Sequence, residues 1–124
     1  MPASPHILLV DDEVLAIIAL EQSLLDEGFR VTTAFDGREA LEHWRDGPFD
    51  ALVTDLRMPV MDGNELIRRT RAQRPTLPVI VMTADSGALR HPESERLRVL
   101  HKPFSLHAAV GAVRSMLDRA RTPE

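Results

Sequence analysis

The feature that most constrains this chain is a rhythm. Five short strand-like runs, most of them apolar without alternation, alternate with longer stretches of helical periodicity. The runs are His6-Ile7-Leu8-Leu9-Val10, residues 30–34, Asp50-Ala51-Leu52-Val53-Thr54, Pro78-Val79-Ile80-Val81-Met82 and Arg98-Val99-Leu100-His101. Strands that do not alternate apolar with polar residues are covered on both faces, which is the condition of an all-parallel sheet. Between the runs, residues 13–27 read as a helix, with Val14, Ile17, Ile18, Leu24 and Leu25 near helical spacing and Gly28 as its stop. Asp36-Gly37-Arg38-Glu39 has the form of a capping box, opening a helix that carries Ala40, Leu41 and Trp44 and stops at Gly47-Pro48. Residues 63–73 form a third helix with Leu66 and Ile67 toward the core. Ser105 caps a last one whose apolar stripe is Leu106, Ala109, Val110, Val113 and Leu117. The segment 86–96 is the weakest helix candidate, because it holds Gly87 and Pro92. Strand and helix thus repeat five times. Right-handed crossovers turn that repeat into an α/β, doubly wound fold with helices on both faces of a parallel sheet.

Composition closes several other routes. At 124 residues, 44% of them hydrophobic, the chain is one domain with enough apolar surface to fold unaided. Without cysteine it can form neither disulfides nor thiolate metal sites. No run approaches the roughly 18 apolar residues of a membrane span, and the opening residues lack the pattern of a signal peptide. The expected compartment is therefore the cytoplasm, with no membrane partner. A net charge of −4 offers no electrostatic footprint for nucleic acid, so none is expected as a partner. Arg68, Arg69, Arg71 and Arg74 cluster, and read as a solvated helix face. The expected layout is a disordered lead-in over 1–5, one domain over 6–118 and a frayed tail over 119–124.

The chemistry gathers at strand ends. Asp11 and Asp12 follow the first run, Asp55 the third, Thr83 the fourth and Lys102 the fifth. In an open α/β sheet, ligands bind outside the carboxyl ends of the strands, where the strand order reverses. One aspartate at such a place is ordinarily a cap or turn residue. Four matching strand ends define a pocket. Carboxylates held close repel one another, and a hard divalent cation that keeps several waters removes the conflict; Mg²⁺ suits an oxygen-only site of this kind. The five histidines are scattered and read as structural or surface residues, with His101, beside Lys102, an ordinary strand residue. A carboxylate can attack phosphorus to give an acyl phosphate. Phosphoryl transfer then needs mainly positioning and charge neutralisation, which a cation, the Lys102 ammonium and the Thr83 hydroxyl supply.

With these residues in view, the chain resembles the receiver domain of two-component response regulators over roughly residues 6–118. The motifs that carry the resemblance are Leu9-Val10-Asp11-Asp12-Glu13, Asp55-Leu56-Arg57-Met58-Pro59 with Met61-Asp62-Gly63, Met82-Thr83-Ala84, and Lys102-Pro103-Phe104. The resemblance implies a flavodoxin-like (βα)5 fold, a five-stranded parallel sheet in order 2-1-3-4-5 flanked by five helices. It implies Asp55 as phosphoacceptor and Asp12 as a direct Mg²⁺ ligand, with Asp11 assisting directly or through water. The main-chain carbonyl of Arg57 is similar to the family's third protein ligand. Thr83 and Lys102 resemble the hydroxyl and the cation that meet the phosphoryl group. A cis bond before Pro103 is implied too, a form found at only about 5–6% of X–Pro bonds. The donor implied is a histidine kinase or a His-containing phosphotransfer protein, with small acyl phosphates as further donors. Such a domain is not an enzyme in the ordinary sense but catalyses its own phosphorylation and dephosphorylation.

Three places depart from the family pattern. Val99 stands where an aromatic switch residue is usual. The stretch between Thr83 and Lys102 is short, and a proline inside a helix costs about 3 kcal/mol. Its helix is therefore expected to be short, starting near Pro92, or disordered, and the segment to act as a mobile switch. Arg57 and Asp85, each two residues past a site residue, carry opposite charges that can pair across the pocket mouth. The competing readings are a phosphate-independent pseudo-receiver and an aspartate-nucleophile phosphatase of the haloacid dehalogenase type, which needs an acid where this chain has Arg57. A third is a receiver cut from a larger regulator or hybrid kinase. Met1 argues for a native start, and nothing in the sequence fixes the native end; if the chain is complete it is a single-domain regulator. Its output would run through protein contacts, as a monomer or a phosphorylation-dependent dimer, at the face of the last two helices and the fifth strand.

Overall fold

The computed structural model describes residues 4–121. Five strands, β1 (His6–Val10), β2 (Arg30–Ala34), β3 (Ala51–Asp55), β4 (Val79–Thr83) and β5 (Leu97–His101), form one parallel sheet in the order β2-β1-β3-β4-β5. Among the described residues four helices accompany them: α1 (Val14–Asp26), α2 (Gly37–Trp44), α3 (Gly63–Gln73) and α4 (Leu106–Arg121). The expected strand order is therefore present. The fifth expected helix is not: between β4 and β5 stand a single 3₁₀ turn (Ser86–Ala88) and irregular chain closed by a Ser94–Leu97 bridge.

Two apolar layers hold the sheet. Ile7, Leu9, Val53, Ile80 and Met82 face α1 and α4. Leu8, Val10, Leu52, Val79 and Val81 face α2 and α3. Successive residues of the same strands thus serve opposite layers, which is why the apolar residues of the central strands run without alternation.

Local chemistry sets the helix ends. Gly28, at φ +93°, ends α1. Its amide donates to the Leu25 carbonyl and that of Phe29 donates to the Leu24 carbonyl, the paired bonds of a Schellman stop. Asp36 caps α2 by accepting from the Glu39 amide at 2.8 Å. Glu39 answers one residue earlier than the capping box requires, accepting from the Phe35 amide at 2.6 Å. Asp62 caps α3 through the Glu65 amide, and Ser105 accepts from the Ala108 amide at the start of α4.

Some sequence expectations need correction. Val14, Ile18 and Leu25 of α1 are exposed, and its core face is Ile17, Leu20 and Leu24. Leu106 is also exposed, while Met116 joins the buried stripe of α4. In both helices the apolar set is wider than the face that meets the sheet. Helix α2 ends at Trp44, before Gly47-Pro48. Helix α4 continues to Arg121, so residues 119–121 are helical; residues 122–124 and 1–3 lie outside the described residues. Within the expected lead-in, the Ser4 and Pro5 carbonyls accept from Arg30, tying this end to β2. Peptide bonds are cis at Lys102–Pro103, as the resemblance implies, and also at Gly47–Pro48.

Candidate functional site

Each site residue sits where a strand stops. Asp55 and Thr83 are the last residues of β3 and β4, and Asp11 and Lys102 directly follow β1 and β5. Because β1 and β3 are neighbours in a parallel sheet, their carboxyl ends place Asp11 and Asp12 beside Asp55. Carboxylate oxygens of all three lie within 4.8 Å of one another. Asp11 and Asp55 are 2% and 8% exposed, and Asp12 is open to solvent.

Lys102 reaches into this cluster from the far side of the sheet. Its Nζ lies 3.3 Å from Asp55 Oδ2 and 3.5 Å from Asp11 Oδ2. The other Asp55 oxygen, Oδ1, accepts from the Leu56 amide at 2.7 Å, and Asp11 Oδ1 accepts from the Glu13 amide at 2.9 Å. Each buried carboxylate is thus held by one main-chain donor and faces Lys102 with its second oxygen.

The electrostatics follow from that arrangement. Burial raises the Asp11 pKa, against the opposing pull of the Glu13 amide and Lys102. Burial alone would lower the Lys102 pKa, but Asp11 and Asp55 together outweigh it and hold it above the usual lysine value. Three carboxylates against one ammonium leave the pocket with excess negative charge. An oxygen-only cluster of this size fits a hard divalent cation that retains water, and offers nothing to a metal that prefers nitrogen or sulfur.

Thr83 is brought to the same edge, but its hydroxyl is engaged elsewhere. It donates to the Asp85 carbonyl at 3.2 Å and accepts from the Asp85 amide at 3.0 Å. Arg57 and Asp85 do meet, at 2.9 Å, with both side chains more than half exposed, so the pair contributes at most about 1 kcal/mol. Beside the acidic cluster, a cavity of about 410 Å³ is lined by Glu13, Ile17, Leu20, Ala84, Phe104 and Leu106 among others.

Sequence reading missed several contributors. Gly63 lets α3 start against the pocket: a Cβ there would lie 2.5 Å from the Asp55 carbonyl oxygen. Its place after Met61-Asp62 in a motif was the available signal. Asn64 bonds across to residues 88 and 90, and nothing in its local sequence announces that. The arginine cluster is only partly a solvated face. Arg68 and Arg69 pair with Glu65, while Arg71 donates to the Leu77 and Arg96 carbonyls and Arg74 to that of Phe49.

Fold and site together define a doubly wound α/β domain with an acidic, lysine-bridged pocket at the carboxyl edge of its sheet. The family model for the response regulator receiver domain matches residues 7–114. The transcriptional regulatory protein PrrA of Mycobacterium leprae is 38% identical over 120 residues, covering 94% of this chain and 52% of that protein. The chemotaxis protein CheY4 of Vibrio cholerae superposes with a TM-score of 0.81 at 29% identity, covering 92% of this chain and 99% of that one. A response regulator receiver protein of Sinorhizobium medicae gives 0.82 at 30% identity, covering 93% and 95%. This chain belongs to the response regulator receiver domain family of two-component systems. It spans about half the length of the curated relatives it matches.

Proposed function

We propose that Asp55 is the phosphoacceptor of a His-to-Asp phosphorelay. The observation that carries this reading is the Lys102 ammonium 3.3 Å from Asp55 Oδ2, inside a cluster of three carboxylates. An Asp55 oxygen attacks the phosphorus of a phosphohistidine, the P–N bond breaks, and the imidazole leaves with its electron pair and takes up a proton. Lys102 neutralises charge on the phosphoryl oxygens, and the Thr83 hydroxyl, once released from Asp85, would donate to another. Asp11, Asp12, Asp55 and the Arg57 carbonyl would hold Mg²⁺, which supplies charge neutralisation between the carboxylates and the incoming group. Attack of water on the acyl phosphate returns Asp55 and inorganic phosphate, a reaction of the domain on itself.

The donor is a histidine kinase or phosphotransfer protein, and the setting is the cytoplasm. Among the described residues no helix is long and apolar enough to cross a membrane. The state of the domain would be read by protein contacts, either of this chain alone or of a larger regulator carrying it, with a monomer or a phosphorylation-dependent dimer as its form. The net charge of −4 argues against nucleic acid as a ligand of this domain. The dehalogenase-type reading is disfavoured because the position of the needed acid holds Arg57. Phosphoryl transfer from a panel of histidine kinases tests the proposal. Wild type gains label and Asp55→Asn gains none; full labelling of Asp55→Asn, or no labelling of wild type by any kinase or by acetyl phosphate, contradicts it.

A further inference from the structure

A continuous run of hydrogen bonds leaves the pocket through Thr83. The Asp85 carbonyl that accepts from the Thr83 hydroxyl also accepts from the Ala88 amide at 3.2 Å, closing the 3₁₀ turn. The Ala88 carbonyl accepts from Asn64 Nδ2 at 2.9 Å. Asn64 Oδ1 in turn accepts from the Arg90 amide at 2.8 Å, and the His91 ring nitrogen Nε2 lies 3.0 Å from the Asn64 carbonyl oxygen. Asn64 is the second residue of α3, next to the Gly63 that abuts the Asp55 carbonyl. The run therefore begins at the pocket hydroxyl, passes through the segment that replaces a helix, and ends on a frame fixed beside Asp55.

We propose that Asn64 is a positioning residue for Thr83. Its amide clamps residues 88–90 and so keeps the turn at Asp85 in the form that engages the Thr83 hydroxyl. This rests on the reading above, in which Thr83 donates to the phosphoryl group. A hydroxyl that turns to the phosphoryl group gives up the Asp85 carbonyl, which then keeps only the Ala88 amide of its two donors. The Asn64 bonds belong to the phosphate-free arrangement and oppose that change. A contact made only in one state shifts the equilibrium toward that state, so removing it favours the other. The clamp would do here, through main chain and one amide, what an aromatic ring cannot do with Val99 in its place.

The test is beryllofluoride binding in the presence of Mg²⁺, followed by calorimetry, for wild type, Asn64→Ala, Asn64→Asp and His91→Ala. Asn64→Asp keeps the acceptor for the Arg90 amide and loses the donor to Ala88. Asn64→Ala is expected to bind about fivefold tighter or more, with Asn64→Asp and His91→Ala between it and wild type. Faster amide exchange at Ala88 and Arg90 should accompany this in the free protein. A lost structural support would weaken binding, so tighter binding separates positioning from mere damage. If Asn64→Ala does not fold, the other two variants decide. Equal or weaker binding by folded variants, with wild type binding normally, overturns the clamp alone. No binding by wild type overturns the phosphoacceptor reading and the clamp with it.

Discussion

Asp11 shows how a single residue here serves the site at the expense of the fold. Its carboxylate is 2% exposed, and burial raises its pKa although the Glu13 amide and Lys102 pull the other way. A carboxyl whose folded pKa is raised penalises the folded state once it ionises. That cost is absent below the ordinary carboxylate range and sets in as pH rises through the raised value. Asp11→Asn should therefore raise the melting temperature of the metal-free domain at pH 7, and the gain should fade on acidification. Mg²⁺ should raise the melting temperature of wild type and much less that of the variant. A variant no more stable than wild type, or equally stabilised by Mg²⁺, contradicts this account. The strand-end positions of Asp11, Asp12, Asp55 and Lys102 were legible because a parallel sheet sends every strand's carboxyl end to one edge. The Thr83 bond to Asp85 was not legible, since a rotamer choice between two nearby acceptors leaves no trace in residue order.

At the scale of elements, α1 separates what periodicity can and cannot say. Leu24 is fully buried, whereas Leu15 and Ile18 are 83% and 55% exposed. Leu24→Ala should cost about 2–5 kcal/mol in urea unfolding, while Leu15→Ser should stay within about 0.5 kcal/mol of wild type. Apolar spacing located the helix but did not select its buried face, because α1 carries more apolar residues than the sheet can cover. The loop before α3 holds a second lesson. Val60 has φ 71°, and the Met61 amide donates to the Pro59 carbonyl at 2.8 Å, a γ-turn of the strained, positive-φ kind. A left-handed backbone costs a branched residue about 1–2 kcal/mol, and glycine gives back about 0.5–1 kcal/mol through the unfolded chain. Val60→Gly should thus leave stability unchanged or raise it by up to about 1.5 kcal/mol. A clear loss in urea unfolding would mean the Val60 side chain, 79% exposed, has a stabilising contact. In α3 itself, hydrogen bonds from Arg68 and Arg69 hold the Glu65 pKa at about 2. This depressed value makes a contribution that is present above the ordinary glutamate pKa and lost as pH falls through about 2. A titration of the Glu65 side chain by NMR should find its midpoint there, and a midpoint near 4.5 would mean the two ion pairs do not persist in solution.

For the whole molecule, the sheet order β2-β1-β3-β4-β5 followed from family resemblance rather than from residue pattern. Periodicity gave five strands and their parallel sense; it did not order them. The segment between β4 and β5 went the other way. Gly87 and Pro92 pointed to a poor helix, and the chain there has one 3₁₀ turn, held to α3 by Asn64 and to β5 by Glu93, whose Oε1 accepts from the Val99 amide at 3.1 Å. The supports of that segment are side chains far away in sequence, which is why residue order alone left it either short or disordered. All of this serves one claim, that Asp55 takes up a phosphoryl group. The most direct measurement is peptide mapping by mass spectrometry after incubation with acetyl phosphate, with and without Mg²⁺. The account predicts one phosphoryl group, on the peptide containing Asp55, formed only with Mg²⁺ and absent from Asp55→Asn. A phosphoryl group on Asp11 or Asp12 instead, or equal modification of Asp55→Asn, would contradict it.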